Sequence, residues 1–272
     1  MTNYDRVLLA RDKERPTAGD YIEKLIDDFT ELHGDRRFGD DKAVIAGIGL
    51  LQDMPITVVG IEKGHDTKEK IECNFGAAHP EGYRKALRQM KLAEKFHRPV
   101  LCIVDTAGAY CGIGAEERGE GQAIAENLME MMMLETPVLS IVIGEGGSGG
   151  ALALAVADEV WMLSNAYYSV VSPESCANIL WKDTAKAAEA ADALRLTAED
   201  LISMGVIEKI IEEPRQYCVG ANNNRFYRTL QKQIYEKYVA LKELKTDELL
   251  ERRYENYRKI GRDDKSVISK IL

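Results

Sequence analysis

The chain has 272 residues, 45% of them hydrophobic and 30% charged, proportions that suit a globular protein with ample core. Its 36 Lys and Arg against 45 Asp and Glu leave a net charge of −9, which makes nucleic acid an unpromising general partner. No run of about 18 apolar residues is present to cross a membrane, and the polar stretch 1–15 lacks the apolar core of a signal peptide, so a cytoplasmic protein is expected.

In chain order, residues 20–33 read as one amphipathic helix, with Tyr21, Ile22, Leu25, Ile26, Phe29 and Leu32 at helical spacing. The runs 43–51 and 56–61 flank Gln52-Asp53-Met54-Pro55 and read as a hairpin. A charged loop over 62–78 follows, then a helix that starts at Pro80 and turns Tyr83, Ala86, Leu87, Met90, Ala93 and Phe96 to the core. Next come two strand–turn–helix units. The pattern Leu-x-Ile-Val recurs at Leu101 and Leu139, which implies neighbouring parallel strands over 100–104 and 138–143 with a right-handed crossover, the first followed by a helix over 116–134. Both turns then lie at the carboxyl ends of adjacent strands, where open α/β sheets bind ligands. Strands are expected at 159–163, 167–171 and 206–211, and helices at 185–194 and 198–204 with Gly205 as a stop. Ser172-Pro173-Glu174-Ser175 reads as a capped helix start. After Pro214, a polar loop at 220–224 leads into charged helices to about Gly261. No linker divides the chain, so it is read as a single domain over 1–272, with a core at about 20–214 and a helical extension at about 220–262. Cys73, Cys102, Cys111, Cys176 and Cys218 are odd in number and contain no Cys-x-x-Cys pair, which fits reduced structural thiols and no zinc ribbon; no metal is expected in this chain.

The densest signal is the turn Gly144-Glu145-Gly146-Gly147-Ser148-Gly149-Gly150, between an apolar strand and an Ala/Leu helix. Bare N–H groups at a helix N-terminus favour negative charge. Three patterns overlap here. Gly-x-Gly-x-x-Gly belongs to a dinucleotide fold only in a first βαβ unit with an acid about 20 residues on, and Asp158 and Glu159 arrive too early. Gly-x-Ser-x-Gly would make Ser148 a nucleophile, yet all four histidines (His33, His65, His79, His97) precede it, whereas an α/β-hydrolase places its histidine after the serine. The third reading needs no nucleophile: Gly149 and Gly150 present N–H groups to an oxyanion, helped by the neighbouring Gly108-Ala109 turn, and each such donor is worth ~3–4 kcal/mol of barrier. On this reading glycine is required because a Cβ would block the ligand, and a Gly150→Val chain is expected to keep its fold and lose activity.

Longer strings carry a resemblance. Lys63-Gly64, Thr67-Lys68-Glu69-Lys70, Asn74-Phe75-Gly76, 80–86 (PEGYRKA), 114–119 (GAEERG), 144–151 and Ser172-Pro173-Glu174 resemble, in the same order from about Tyr21 to Pro214, the carboxyltransferase alpha subunits of bacterial acetyl-CoA carboxylase. That resemblance implies an α/β fold of the crotonase-like (ClpP/crotonase) kind, a superhelix of ββα units, here with helical N- and C-terminal extensions. It implies transfer of a carboxyl group from carboxybiotin, carried on a separate protein, to acetyl-CoA, giving malonyl-CoA for fatty acid biosynthesis. Gly149 and Gly150 then meet the biotin ureido oxygen with Gly108 and Ala109 in support. The biotin enolate takes the acetyl proton itself, which explains the lack of an evident base. It further implies a zinc-ribbon beta subunit in an alpha2beta2 assembly, a biotin carboxyl carrier protein and a biotin carboxylase, with this chain inactive alone. The basic zone of Lys63, Lys68, Lys70, Arg84, Lys85 and Arg88 is either a solvated face or a surface for CoA phosphates or the partner; Lys63, Lys68, Lys70 and Arg84 are the candidate substrate contacts. The family often has proline at the positions of Ala107 and Cys111 and arginine at that of His65, so a looser first turn is expected. The competing enzyme reading is a self-sufficient crotonase-like CoA-thioester hydratase or decarboxylase, which would need a carboxylate such as Glu116 or Glu117.

Overall fold

The computed structural model describes residues 1–214 and 223–262; Cys218 and the expected loop at 220–222 lie outside them. Eight strands form one mixed sheet, ordered β1-β2-β3-β4-β5-β6-β8, with β7 paired to β5. The strands are β1 (Asp27–Glu31), β2 (Val44–Leu51), β3 (Met54–Ile61), β4 (Val100–Thr106), β5 (Val138–Gly147), β6 (Glu159–Leu163), β7 (Tyr167–Ser169) and β8 (Lys209–Ile211). The first three are antiparallel, and the rest run parallel from β3 onward.

The Leu-x-Ile-Val repeat is a pairing register. Leu101 pairs with Leu139, Ile103 with Ile141 and Val104 with Val142. Every residue of β4 and β5 is buried, as unbroken apolar runs in a covered parallel sheet must be. The hairpin forms with a tighter turn than expected: Gln52, at φ 58°, and Asp53 make it, and Pro55 sits in β3 opposite Leu50. Proline is tolerated there because the pairing of β3 with β4 begins two residues later, at Thr57.

The helix expected over 20–33 is corrected to α2 (Ala18–Leu25) followed by β1. Ile26 is already extended, at φ −122° and ψ 119°. Gly47 and Gly49 on β2 leave room for Phe29 and Ile26, whose atoms would otherwise lie under 3 Å from a Cβ there. The strand is therefore decided by its partner rather than by its own apolar spacing. The charged loop holds a short helix, α3 (Thr67–Glu72), capped by Asp66, and a 3-10 turn at Asn74–Gly76. Pro80 does open a helix, α4 (Pro80–Lys95), but Phe96 is exposed, and Lys85 and Gln89 are buried in place of the expected Leu87 and Phe96. The helix expected over 116–134 is two, α5 (Ile113–Glu117) and α6 (Glu120–Met132), separated where Gly119 takes φ 83°. Ser172 caps α8 (Pro173–Trp181) by accepting from the Ser175 N–H. The helices after it, α9 (Ala187–Leu194) and α10 (Ala198–Ser203), follow the expected spacing, and Gly205 has φ 68°.

At the ends, α1 (Asn3–Ala10) is fixed by Arg6 to Ser164 and Glu199. The C-terminal helices are α11 (Asn224–Lys242) and α12 (Thr246–Lys259). Tyr227, Leu230, Ile234 and Tyr238 of α11 join the same hydrophobic core as the sheet. Arg253 of α12 is fully buried, paired with Asp158 at 2.9 Å and donating to the carbonyls of Met131, Leu134 and Thr136.

Candidate active site

The glycine run is mostly strand. Gly144–Gly147 finish β5, and only then does the short helix α7 (Ser148–Leu152) begin. Beyond Val142 the pairing of β5 with β6 ends, and Glu145, Gly146 and Gly147 pair with β7, at Tyr167, Tyr168 and Ser169. Gly146 also pairs with Thr106 at the end of β4. The two expected turns therefore meet.

They meet at Gly150. A Cβ there would lie 2.5 Å from the Ala109 nitrogen and 2.8 Å from the Gly108 carbonyl carbon. Glycine is thus required at 150 by the approach of the first turn, not by a ligand, and the expectation that Gly150→Val keeps its fold is corrected. At Gly149 a Cβ would meet only Ile124, at 3.7 Å, an ordinary contact. Gly149 is the position where a methyl group would project without disturbing the fold.

The amide inventory follows from helix geometry. The first N–H groups of α7 have no partner within the helix, and among the described residues no other hydrogen bond takes those of Gly149 or Gly150. In the first turn the Gly108 N–H is occupied, donating to Thr106 Oγ1 at 3.0 Å, so Gly108 is corrected from donor to spacer. The Ala109 N–H, beside Gly150, has no acceptor among the described residues. Despite alanine at 107 and cysteine at 111, this turn is held: Thr106 Oγ1 donates to the Gly108 carbonyl at 2.8 Å, and the Tyr110 N–H donates to the Ala78 carbonyl at 3.0 Å. Beside Gly149 lies a cavity of about 350 Å³, walled by Leu152, Tyr168, Val170, Leu194 and Leu201.

Under the glycine run sits Glu145. Its carboxylate accepts from Lys63 Nζ at 2.8 Å, Arg11 Nε at 2.8 Å and the Tyr167 hydroxyl at 2.6 Å. Its N–H donates to Asp105 Oδ1 at 2.8 Å, and Lys63 Nζ lies 2.7 Å from that same oxygen. Burial would raise the Glu145 pKa, but the Lys63 charge and these bonds hold it at about 2. Burial would also lower the Lys63 pKa, and the charges of Asp105 and Glu145 raise it instead. The network ties the C-terminal end of α1, the segment that follows β3, and strands β4 and β7 to the middle of the glycine run.

The basic zone divides. Lys63 belongs to that network. Arg84 is held by Asp35 at 2.7 Å, Lys85 by Asp40 at 2.6 Å, and Arg88 donates to the carbonyls of Gly34 and His33. Lys68 and Lys70 stand apart on α3, Lys68 exposed and Lys70 half-buried. Ser148 has φ 51°, a strained strand-to-helix corner, but none of the hydrogen bonds made by the histidines reaches its hydroxyl. Glu116 and Glu117 are exposed. The acid that sequence reasoning passed over is Glu120. It is buried, and its spacing with Ala123, Asn127 and Met131, all on the buried stripe of α6, is the signal that could have found it.

A family model for acetyl co-enzyme A carboxylase carboxyltransferase-like proteins matches residues 1–261. The chain belongs to this family. The acetyl-coenzyme A carboxylase carboxyl transferase subunit alpha of Ruminiclostridium cellulolyticum is 60% identical over 261 residues, covering 96% of this chain and 98% of that one. Its counterpart in Alkaliphilus oremlandii is 58% identical, covering 96% and 82%. Among solved structures, Transcarboxylase 12S with methylmalonyl-coenzyme A and methylmalonic acid bound superposes with a TM-score of 0.67 at 18% identity, over 84% of this chain and 42% of that one. The beta subunit of geranyl-CoA carboxylase from P. aeruginosa gives 0.63 at 15%, over 86% and 44%. This chain thus spans less than half the length of either structure, and the likeness establishes the fold: α/β and crotonase-like, as expected. Within this carboxyltransferase family, the two turns named by the third reading of the glycine run lie in close contact at Gly150 and Ala109. No helix among the described residues is long and apolar enough to cross a membrane.

Proposed function

We propose that this chain is the alpha half of the carboxyltransferase of acetyl-CoA carboxylase. It moves a carboxyl group from biotin on a separate carrier protein to the methyl carbon of acetyl-CoA, giving malonyl-CoA for fatty acid biosynthesis in the cytoplasm. The observation that carries the reading is the close approach of the two turns, where the amides of Gly149, Gly150 and Ala109 have no hydrogen-bond partner among the described residues and Gly149 lines a cavity. N–H donors fixed by the fold need no reorganisation as charge develops on an oxygen facing them. The cavity wall suits an uncharged ring system: Leu152, Val170, Leu194 and Leu201 are apolar, and no charged side chain among the described residues lines it. Biotin, when bound, supplies a ureido group that carries the carboxyl and leaves negative charge on its oxygen. Gly149 and Gly150 would hold that oxygen, with Ala109 reinforcing Gly150. Glu145 and Lys63 brace the glycine run from beneath. No side chain of this site is assigned as the base.

Lys68 and Lys70 are proposed to face CoA phosphates or the partner chain. We take 1–272 to work as one carboxyltransferase domain, with a zinc-ribbon beta subunit as its partner in an alpha2beta2 assembly served by a biotin carboxyl carrier protein and a biotin carboxylase. The test is reconstitution. The chain alone is expected to be inactive, and with the beta subunit it should carry out transfer between malonyl-CoA and biotin. Gly149→Ala should assemble normally yet lower kcat, because it adds a methyl group at the donor that lines the cavity. Full activity in that variant would remove the oxyanion assignment, and activity of the chain alone would favour the self-sufficient alternative.

A further inference from the structure

Behind the amide site stand two buried polar groups that neither packing nor the proposed donors account for. Tyr83, on α4, is fully buried, and Glu120, the first residue of α6, is 4% exposed. Among the described residues, the Tyr83 hydroxyl and both Glu120 carboxyl oxygens have no hydrogen-bond partner. The place a Gly150 Cβ would occupy is 2.9 Å from the Tyr83 hydroxyl and 2.5 Å from the Ala109 nitrogen. Of the charges around Tyr83, that of Glu120 acts on it most strongly, ahead of Asp41.

The cations that could neutralise Glu120 are committed elsewhere. Arg118 binds Glu81 through Nε at 3.1 Å and Nη2 at 2.9 Å. Arg84 holds Asp35, and Lys85 holds Asp40 and the Asp41 carbonyl. The other groups facing Glu120 are acids: Asp41 ahead of β2, Glu81 on α4 and Glu116 on α5. The short α7 carries no titratable side chain, and Arg253 of α12 is paired with Asp158 and bonded to the Met131 carbonyl at the far end of α6. A buried carboxylate with neither donor nor counter-ion is costly, and the neutral acid avoids that cost.

We propose that Glu120 is a positioning residue kept as an uncharged carboxylic acid beside Tyr83, so that no negative charge stands behind the amide donors of Gly150 and Ala109. The proposal rests on the oxyanion reading of those amides. Ionised, Glu120 would place charge of the same sign as the developing oxyanion on the buried side of the site, where water screens it little. Burial, reinforced by Asp41, Glu81 and Glu116 and opposed by Arg118, raises its pKa to about 8. Transfer should therefore be lost as pH rises through that value.

The experiment uses the enzyme assembled with its beta subunit, with malonyl-CoA and biotin as substrates. Infrared difference spectra between wild type and Glu120→Gln should show a carboxylic acid carbonyl band at about pH 7 that fades by about pH 9.5. Over the same interval wild-type kcat should fall about tenfold with little change in KM for malonyl-CoA, while Glu120→Gln stays flat. Tyr83→Phe, which takes away the polar neighbour, should move the wild-type limb to higher pH, and it serves as the second variant should Glu120→Gln fail to assemble. Absence of the acid band at neutral pH overturns the proposal. So does a pH limb shared by wild type and Glu120→Gln, or one that Tyr83→Phe leaves in place. A wild-type assembly that transfers no carboxyl group at neutral pH instead overturns the oxyanion reading beneath it, and the infrared band tells the two failures apart.

Discussion

Two buried glutamates flank the paired turns and end in opposite states. Glu145 lies under the glycine run with Lys63, Arg11 and Tyr167 all bonded to it, and its pKa is held at about 2. Glu120 acts on Tyr83, whose hydroxyl backs Gly150; among the described residues its carboxyl oxygens have no hydrogen-bond partner, and its pKa is raised to about 8. Burial pushes both upward, so burial does not decide the outcome; the donors and cations that face each group do. One glutamate is a fixed anion that braces the backbone, and the other is a neutral acid that leaves the site free of charge.

The largest expected effect comes from breaking the braced side. Glu145→Ala leaves Lys63 and Arg11 without their shared partner and should cost about 3 kcal/mol, read as a lower denaturant midpoint at unchanged slope. Next is the contact between the turns. Gly150→Ala would drive a methyl group to 2.5 Å from the Ala109 nitrogen and should cost about 2 kcal/mol. Gly149→Ala, with only Ile124 at 3.7 Å, should change stability by less than about 0.5 kcal/mol while still impairing transfer. Equal losses of stability at the two glycines would mean that the turns do not touch as described.

These positions also show how far the sequence could be read. The Leu-x-Ile-Val repeat located the paired strands, because unbroken apolar strands are local signals, and the longer strings from Lys63 to Glu174 located the family. The roles of the two glycines were not legible. Gly149 and Gly150 look alike in sequence, and only the approach of Ala109, about 40 residues earlier in the chain, separates them. The basic zone misled for a similar reason: Lys63, Arg84 and Lys85 are close in sequence, but each answers a carboxylate from another part of the chain. The strand β1 hid in a helix-like pattern because its partner, opened by Gly47 and Gly49, decided its conformation. Glu120 was overlooked beside the more conspicuous Glu116 and Glu117, although its place on the buried stripe of α6 was visible in the spacing.

Smaller effects sharpen the contrast through pH. The folded pKa of Glu120 is raised, so the folded chain keeps a proton that the unfolded chain has lost, and stability falls as pH rises from about 4.3 to about 8. Glu120→Gln should remove that loss and raise Tm at alkaline pH by at least about 2–4 °C, with the gain shrinking toward acid. Glu145, Asp35 and Asp40 work in the opposite sense. Their folded pKa values lie at about 2, so their contribution is complete above about 4.3 and is lost as pH falls toward 2. An acid-unfolding curve should therefore shift to higher pH in Glu145→Gln and remain in place in Glu120→Gln.

The central claim concerns where the biotin oxygen sits. A crystal structure of this chain with its beta subunit and bound biotin measures it directly. The account predicts the ureido oxygen within about 2.7–3.1 Å of the Gly149 and Gly150 nitrogens, with Ala109 alongside. A ureido oxygen held elsewhere, with those amides turned to water or bonded to protein carbonyls, would contradict it.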